Sequence, residues 1–419
     1  MLNRLKPKSE FSRNVLTLMT GTTIAQAIPI AISPILTRIY TPEDFGVFAL
    51  YMSLVAFISI IITARYEMAI VLPKDDEDAI NILALSFLIM IGIIILTTFI
   101  IIFFKDNILN IFNAQSVGNL LYLVPLSLLL AGLNQIFNYW SNRKEYFKNI
   151  SSAQISQSIG IGITQPTFGY FSIYGGLIFG NMIGRTIASF VYIDKFLKND
   201  KELLSKIDKN VMIANMKEHK DFPLVNSLHA FSDIIRTSGS VMLISSFFGS
   251  VILGFYTLSL RVLQVPVSII GSALGQVLYQ KFTAIHNNNE PLYPYVKKVV
   301  IRLFIISLPL FMILYFIAPQ LFAFVFGEKW RVAGEYSQIL VPYLFMNFLV
   351  SPISSIPIIL GKQKEIFYIS LFGNILFIIN IFLFYKFSIL NMLYSISFTM
   401  SIYYFYVIYW FYRILNDKK

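Results

Sequence analysis

A few charged side chains stand where charge is hardest to keep. Arg65, Glu67, Arg185, Asp233, Arg236, Arg261 and Arg302 all fall inside stretches that are otherwise apolar. Such stretches run for about eighteen residues or more, long enough to cross a bilayer. Counting along them at about 1.5 Å per residue puts Arg185, Asp233, Arg236 and Arg261 near the middle. Arg65 and Glu67 come out nearer one end, and Arg302 is close enough to an end to snorkel. A guanidinium keeps its proton and binds phosphate through paired hydrogen bonds. An interior richer in Arg than in Asp and Glu therefore suits an anionic substrate. Glu67 and Asp233, with His229 as a weaker candidate four positions before Asp233, are the groups that would couple transport to a proton or sodium gradient.

The plain alternative is internal pairing. Asp233 and Arg236 are three apart on one helix face and can neutralise each other. Arg65 and Glu67 are two apart, which on a helix points them to different faces, so no pair is expected there. One charge in mid-membrane costs about 2.5–3.5 kcal/mol, and four facing lipid would cost ~10 kcal/mol, comparable to a domain's net stability. These groups must face one another or a wet cavity.

The elements that hold them follow from composition. The chain is 56% hydrophobic and only 13% charged, with a mean hydropathy of +0.69. Its continuous apolar runs exclude a soluble domain and lack the period-two alternation of a membrane β-barrel. The expected fold is an all-α polytopic membrane protein of about 12 transmembrane helices. The spans read Val15–Thr37, Phe45–Leu72, Ala79–Phe103, Asn119–Trp140, Ser151–Tyr170 and Tyr174–Ile193. After a hydrophilic loop follow Phe222–Phe248, Val251–Tyr279, Tyr295–Ala318, Tyr336–Leu360, Ile366–Phe387 and Ile389–Ile414. Gly, Ser, Gln or Tyr dilute the fifth, sixth, seventh and twelfth. Prolines 29, 34, 266, 309, 352 and 357 predict kinks or bends.

Basic residues set the orientation. With the N-terminus inside, inner segments hold Arg4, Lys6, Lys8, Arg13, Arg143, Lys144, Lys148 and most of the later lysines. Outer loops hold only Arg38, Lys105, Lys329, Arg331 and Lys386. That bias places both termini in the cytoplasm, and it explains the net charge of +11 without nucleic acid as a partner. The basic Met1–Ser9 precedes a retained first helix rather than a signal peptide. There are no cysteines, which excludes disulfides and thiol chemistry. Walker A, GxGxxG and HExxH motifs are missing as well, so the sequence shows no nucleotide site or soluble-enzyme motif.

Residues 195–221 mix Lys with Asp and Glu and divide the chain into 1–194 and 222–419. The parts echo each other: Phe45-Gly46-Val47-Phe48-Ala49-Leu50 against Leu253-Gly254-Phe255-Tyr256-Thr257-Leu258. Val124-Pro125 with Lys144-Glu145-Tyr146-Phe147 pairs likewise with Val341-Pro342 and Lys364-Glu365-Ile366-Phe367. A duplicated six-helix unit is expected, giving two bundles related by a pseudo-two-fold axis along the membrane normal with a cavity between them. In the first helix Thr17, Thr20, Gly21, Thr22, Thr23 and Gln26 form a polar face that either packs closely or lines water.

Between the first two helices runs Arg38–Tyr51, RIYTPEDFGVFALY. Thr41 can cap a helix, Pro42 fits its first position, and Glu43 and Asp44 favour its positive end. This stretch, the NRKEYF segment at Asn142–Phe147 and the helical plan resemble the polysaccharide-export flippases. Those are the O-antigen and capsule repeat-unit translocases of the multidrug/oligosaccharidyl-lipid/polysaccharide exporter superfamily. The resemblance implies alternating-access translocation of undecaprenyl-diphosphate-linked oligosaccharide from the cytoplasmic to the periplasmic leaflet of a bacterial inner membrane. It implies an anionic lipid-linked oligosaccharide and membrane lipid as partners, a polysaccharide polymerase and chain-length regulator as associates, and no cofactor beyond H+ or Na+ coupling. The substrate-contact candidates are Arg38, which lies in the matching motif, and Arg65, Arg185, Arg236 and Arg261, which rest on depth. The competing readings are a small-molecule or multidrug antiporter of that superfamily and a membrane polymerase or glycosyltransferase.

Overall fold

The computed structural model describes residues 10–223 and 227–416, and the described residues are helical, with no β-strand among them. They form two compact units, Met1–Met242 and Leu243–Lys419. The first contains α1 (Glu10–Ile39), α2 (Pro42–Ser59), α3 (Asp76–Ile111), α4 (Val124–Arg143), α5 (Phe147–Tyr170), α6 (Gly176–Asn199), α7 (Lys209–Glu218) and α8 (Ser227–Ile234). The second is built from most of α9 (Ser240–Asn287), then α10 (Leu292–Phe326), α11 (Arg331–Val350), α12 (Ile356–Ile359), α13 (Gln363–Phe384) and α14 (Ile389–Asn416).

Nine helical stretches among the described residues are long and apolar enough to cross a membrane. Three features connect that number to the expected plan of about twelve. The helices α5 and α14 are 24 and 28 residues long, but their polar and tyrosine content dilutes them. The apolar stretch Ala230–Val265 counts as one, yet it breaks in two at Gly249, whose φ of 82° and ψ of 173° no helix accommodates. The part of 195–221 that follows α6 folds into a 3-10 turn and the short α7. Asn81 ties α7 to the start of α3 by donating to Lys206 O and accepting from Asp208 N, at 3.1 and 2.8 Å.

Small residues let the helices of the first unit approach closely. A Cβ on Gly21 of α1 would sit 2.4 Å from Ser151 Cβ on α5. Thr22 Oγ1 and Gln154 Oε1 are 2.9 Å apart across the same seam, so this part of the first helix's polar face packs. Thr20, Thr23 and Gln26 are exposed. Pro29 does not break α1. Without its N–H, the carbonyl of Ala25 loses a helical donor, and Ser158 Oγ of α5 donates to that carbonyl at 2.7 Å.

Two expected helices are interrupted. The tenth predicted span ends as a helix at Val350 and continues as a 3-10 turn and the short α12, as Pro352 and Pro357 require. The second span was expected to run unbroken from Phe45 to Leu72. Instead α2 stops at Ser59, the chain turns through residues 60–65, and a 3-10 segment occupies Tyr66–Val71. No Gly or Pro lies between Gly46 and Pro73, so local sequence does not cause this break.

At the α1–α2 corner the reading of the sequence holds in detail. Thr41 and Asp44 form a capping box, with Asp44 N donating to Thr41 Oγ1 at 3.2 Å and Thr41 N to Asp44 Oδ2 at 2.8 Å. The preceding Tyr40 is buried, donates to Gln165 O at 2.8 Å, and lies against the start of α6 and the end of α5. Burial, with Asp44 nearby, pushes its pKa up to about 12, so the phenol stays a donor. A Cβ on Gly176 would sit 2.4 Å from Tyr40 Oη, and one on Gly169 would sit 2.7 Å from the Tyr40 ring. Gly176→Ala should therefore cost about 1–3 kcal/mol through overpacking. Tyr40→Phe in the same chain should recover part of that loss in a detergent thermal-unfolding assay; a Gly176→Ala protein as stable as wild type would refute this packing role.

Candidate functional site

The polar interior of the first unit is organised by α4. This helix carries Ser127, Asn134, Gln135, Asn138, Tyr139 and Arg143 along a stretch that should be apolar. Nearly every one reaches a different neighbour. Tyr51, fully buried on α2, is 2.6 Å from Ser127 Oγ. Asn134 Nδ2 donates to Arg185 O at 3.2 Å and Asn138 Nδ2 to Tyr192 Oη at 2.8 Å, both on α6. Gln135, one step round the helix, donates from Nε2 to Glu67 Oε1 at 2.5 Å.

Glu67 is completely buried, with no accessible surface. Thr63 Oγ1 donates to its second oxygen, Oε2, and Arg65 Nη1 lies 3.8 Å from Oε1. The expectation that Arg65 and Glu67 do not meet is therefore corrected. It assumed a helix, whereas Ala64 (φ 48°) and Arg65 (φ 64°) both adopt the left-handed conformation. Two such non-glycine residues in succession turn the chain back and bring the guanidinium to the carboxylate. Each costs on the order of 1–3 kcal/mol and persists only where surrounding contacts impose it. Arg65 Nε is buried with no hydrogen-bond partner, and its side chain is 22% accessible.

The contacts that impose this shape are gathered at the end of α4. Arg143, 8% accessible, donates to Ile70 O at 3.1 Å, Pro73 O at 2.6 Å and Asp76 Oδ1 at 2.9 Å. Lys144 Nζ lies 2.7 Å from Asp76 Oδ2 and 3.3 Å from Asp200 Oδ1. Burial opposes the Lys144 charge, but the two carboxylates more than offset it and hold its pKa above the ordinary lysine value. Asp200, 4% accessible, also accepts from Trp140 Nε1 at 3.0 Å. The NRKEYF segment is thus a clamp on residues 70–76. Arg143→Ala should lower stability by about 2–3 kcal/mol, seen as a fall in detergent unfolding midpoint, and Arg143→Lys should not restore it because an ammonium cannot reproduce the guanidinium fork.

The remaining candidates are not among the residues that contact Glu67. Arg185 is half-buried on α6, with Nε 3.1 Å from Asn181 Oδ1, and its backbone carbonyl accepts from Asn134, the neighbour of the Gln135 that holds Glu67. Arg38 is exposed in the last turn of α1. Asp233 is exposed on α8, and Arg236 is half-buried in the π-helical turn Ile235–Gly239 that follows. π turns recur at functional sites. The side chain of His229 lies outside the described residues. Arg261, in the second unit, is exposed in the interior of α9. Reading by charge alone missed the amides of α4. Their signal was present: Asn134, Gln135 and Asn138 fall within two turns of a predicted membrane helix, where amides occur mostly to bind something.

Comparison with known proteins bears on this arrangement. A family described as polysaccharide biosynthesis protein matches residues 35–335. Teichuronic acid biosynthesis protein TuaB of Bacillus subtilis (strain 168) is 21% identical over 322 residues, 74% of this chain, and the match spans 63% of that relative's length. The lipid II flippase MurJ in an inward closed conformation superposes with a TM-score of 0.74 at 15% identity, covering 94% of this chain and 87% of MurJ. An inward-facing multidrug resistance MATE transporter of the MOP superfamily superposes with a TM-score of 0.69 at 13% identity, covering 96% and 98%. A polytopic helical chain with a charged and amide-lined interior thus has the fold of MOP-superfamily transporters, and it belongs to the polysaccharide biosynthesis protein family.

Proposed function

We propose that this chain is a flippase that carries an anionic, undecaprenyl-diphosphate-linked oligosaccharide from the cytoplasmic to the periplasmic leaflet by alternating access. The observation that carries this reading is the surplus of guanidinium over carboxylate on its membrane helices, within a family described by polysaccharide biosynthesis. A diphosphate needs such donors where water is scarce, and Arg65, Arg185, Arg236 and Arg261 are the proposed contacts, with Arg38 at the entrance or exit. The substrate serves O-antigen or capsule assembly in a bacterial inner membrane, with both termini in the cytoplasm, as the distribution of Lys and Arg supports. A polymerase and a chain-length regulator act on the delivered repeat unit. Asp233 and Glu67 are the carboxylates we propose for coupling to H+ or Na+, since they are the acidic groups on otherwise apolar stretches. An antiporter of organic cations would place its surplus in carboxylates, which disfavours that alternative.

Cells lacking the chain should accumulate the lipid-linked repeat unit on the cytoplasmic side, measured by accessibility to an added glycosidase in oriented vesicles. Arg236→Ala and Arg261→Ala should each lower surface polysaccharide roughly tenfold or more, the loss of one charge-assisted hydrogen bond, at unchanged protein level in the membrane. Wild-type polysaccharide from both variants would make these arginines structural, and delivery of the repeat unit in the deletion strain would remove the flippase reading.

A further inference from the structure

The backbone beyond the end of α2 departs from what its own sequence favours. From Gly46 to Pro73 nothing in the sequence interrupts a helix, yet the chain unwinds after Ser59 and turns left-handed at Ala64 and Arg65. What holds the unwound form is tertiary. Glu67 is anchored by Gln135, Arg143 grips the carbonyls of Ile70 and Pro73, and Tyr66 Oη donates to Met216 O of α7 at 2.9 Å. Straightening residues 60–66 would relieve both left-handed residues. It would also set Arg65 and Glu67 about 200° apart around the helix, since they are two residues apart.

The bookkeeping of hydrogen bonds makes such a separation tolerable for the carboxylate and useful for the guanidinium. Glu67 already accepts from Thr63 and Gln135, one donor on each oxygen. Thr63 and Glu67 are four apart and stay neighbours in a helix. Arg65, by contrast, is held only by the 3.8 Å approach to Oε1, and its buried Nε has no partner. Its donors are matched to a ligand with more acceptor oxygens than Glu67 can offer.

We propose that Arg65 is a switched phosphate ligand. Glu67 holds its guanidinium in the unwound form of α2, and the diphosphate of the carried lipid takes it as residues 60–66 rewind into a continuous helix. This rests on the flippase reading for the identity of the ligand, while the two-state helix stands on the backbone alone. Phe57, on the last turns of α2, meets Phe231 of α8 edge to face at 5.6 Å, so rewinding is felt beside the turn that carries Arg236.

The chain has no cysteine, so two introduced ones can carry the only spin labels. Labels at Leu54 and Leu72 of the full chain in nanodiscs flank the segment, and a continuous helix separates their backbones by about 27 Å. Two distances are expected, that one and a second from the unwound form. Ala64→Gly favours the left-handed turn and disfavours helix, and should shift the population ratio roughly fivefold toward the unwound form. Ala64→Val should shift it the other way. Undecaprenyl diphosphate, but not undecaprenol, should enrich the 27 Å population in wild type and not in Arg65→Gln. A single distance in wild type and both Ala64 variants overturns the switch. An equal response to the lipid in Arg65→Gln overturns Arg65 as the ligand. Ratios that differ between the Ala64 variants but ignore undecaprenyl diphosphate in wild type leave the switch standing and count against the flippase reading, and with it the ligand.

Discussion

The first unit depends on one constraint: a carboxylate with no accessible surface must have its lone pairs filled. Glu67 meets it with Thr63 from its own segment, Gln135 from α4 and Arg65 from a backward turn. Leaving such a group unpaired would cost several kcal/mol, so α4 and the end of α2 cannot slip past each other freely. The same logic runs along α4. Asn134 and Asn138 pin α6, Ser127 pins the buried Tyr51 of α2, and Arg143 pins the chain entering α3. Lipid offers no hydrophobic gain for bringing helices together, so these polar contacts and the close approach at Gly21, Gly169 and Gly176 provide cohesion.

Cohesion is distributed unevenly. At the α1–α2 corner, Tyr40 fills a space left by two glycines and satisfies Gln165 O, with a capping box directly behind it. At the opposite end of α4, Arg143, Lys144, Asp76 and Asp200 form a network in which every member has two or more partners. Between these fastened regions lie the left-handed residues of the α2 end. Where the backbone is strained in this way, small changes in contact decide between discrete conformations.

Much of this was readable from the chain itself. The apolar runs gave the helices, Thr41-Pro42-Glu43-Asp44 gave a helix start, and Pro352 and Pro357 gave a bend where the chain in fact breaks into a 3-10 turn and the short α12, because each rests on chemistry within a few residues. The break in α2 was not readable, since its causes lie far along the chain: Gln135 is 68 positions from Glu67, and Arg143 is 73 from Ile70. The Arg65–Glu67 pair was invisible for the same reason, as two residues of spacing means opposite faces in a helix and contact across a left-handed turn. The NRKEYF segment could be recognised as a motif, but its work as a clamp on residues 70–76 depends on partners 67 to 73 positions away along the chain.

The arginines divide accordingly. Arg143 makes its hydrogen bonds to backbone carbonyls and one carboxylate, all from a single neighbouring segment, which is how a guanidinium serves as a structural rivet. Arg65 keeps an unfilled donor and a distant carboxylate, and Arg261 is exposed in the interior of a long apolar helix. A membrane helix bears the cost of a charge only where something recovers it, and for Arg143 the recovery is visible within the fold. For Arg65 the guanidinium is only partly compensated, by a carboxylate oxygen 3.8 Å away, with its buried Nε unfilled. The distinction lies in how many donors are already spent, not in depth along the helix: Arg143 spends its donors on one neighbouring segment, and Arg65 does not.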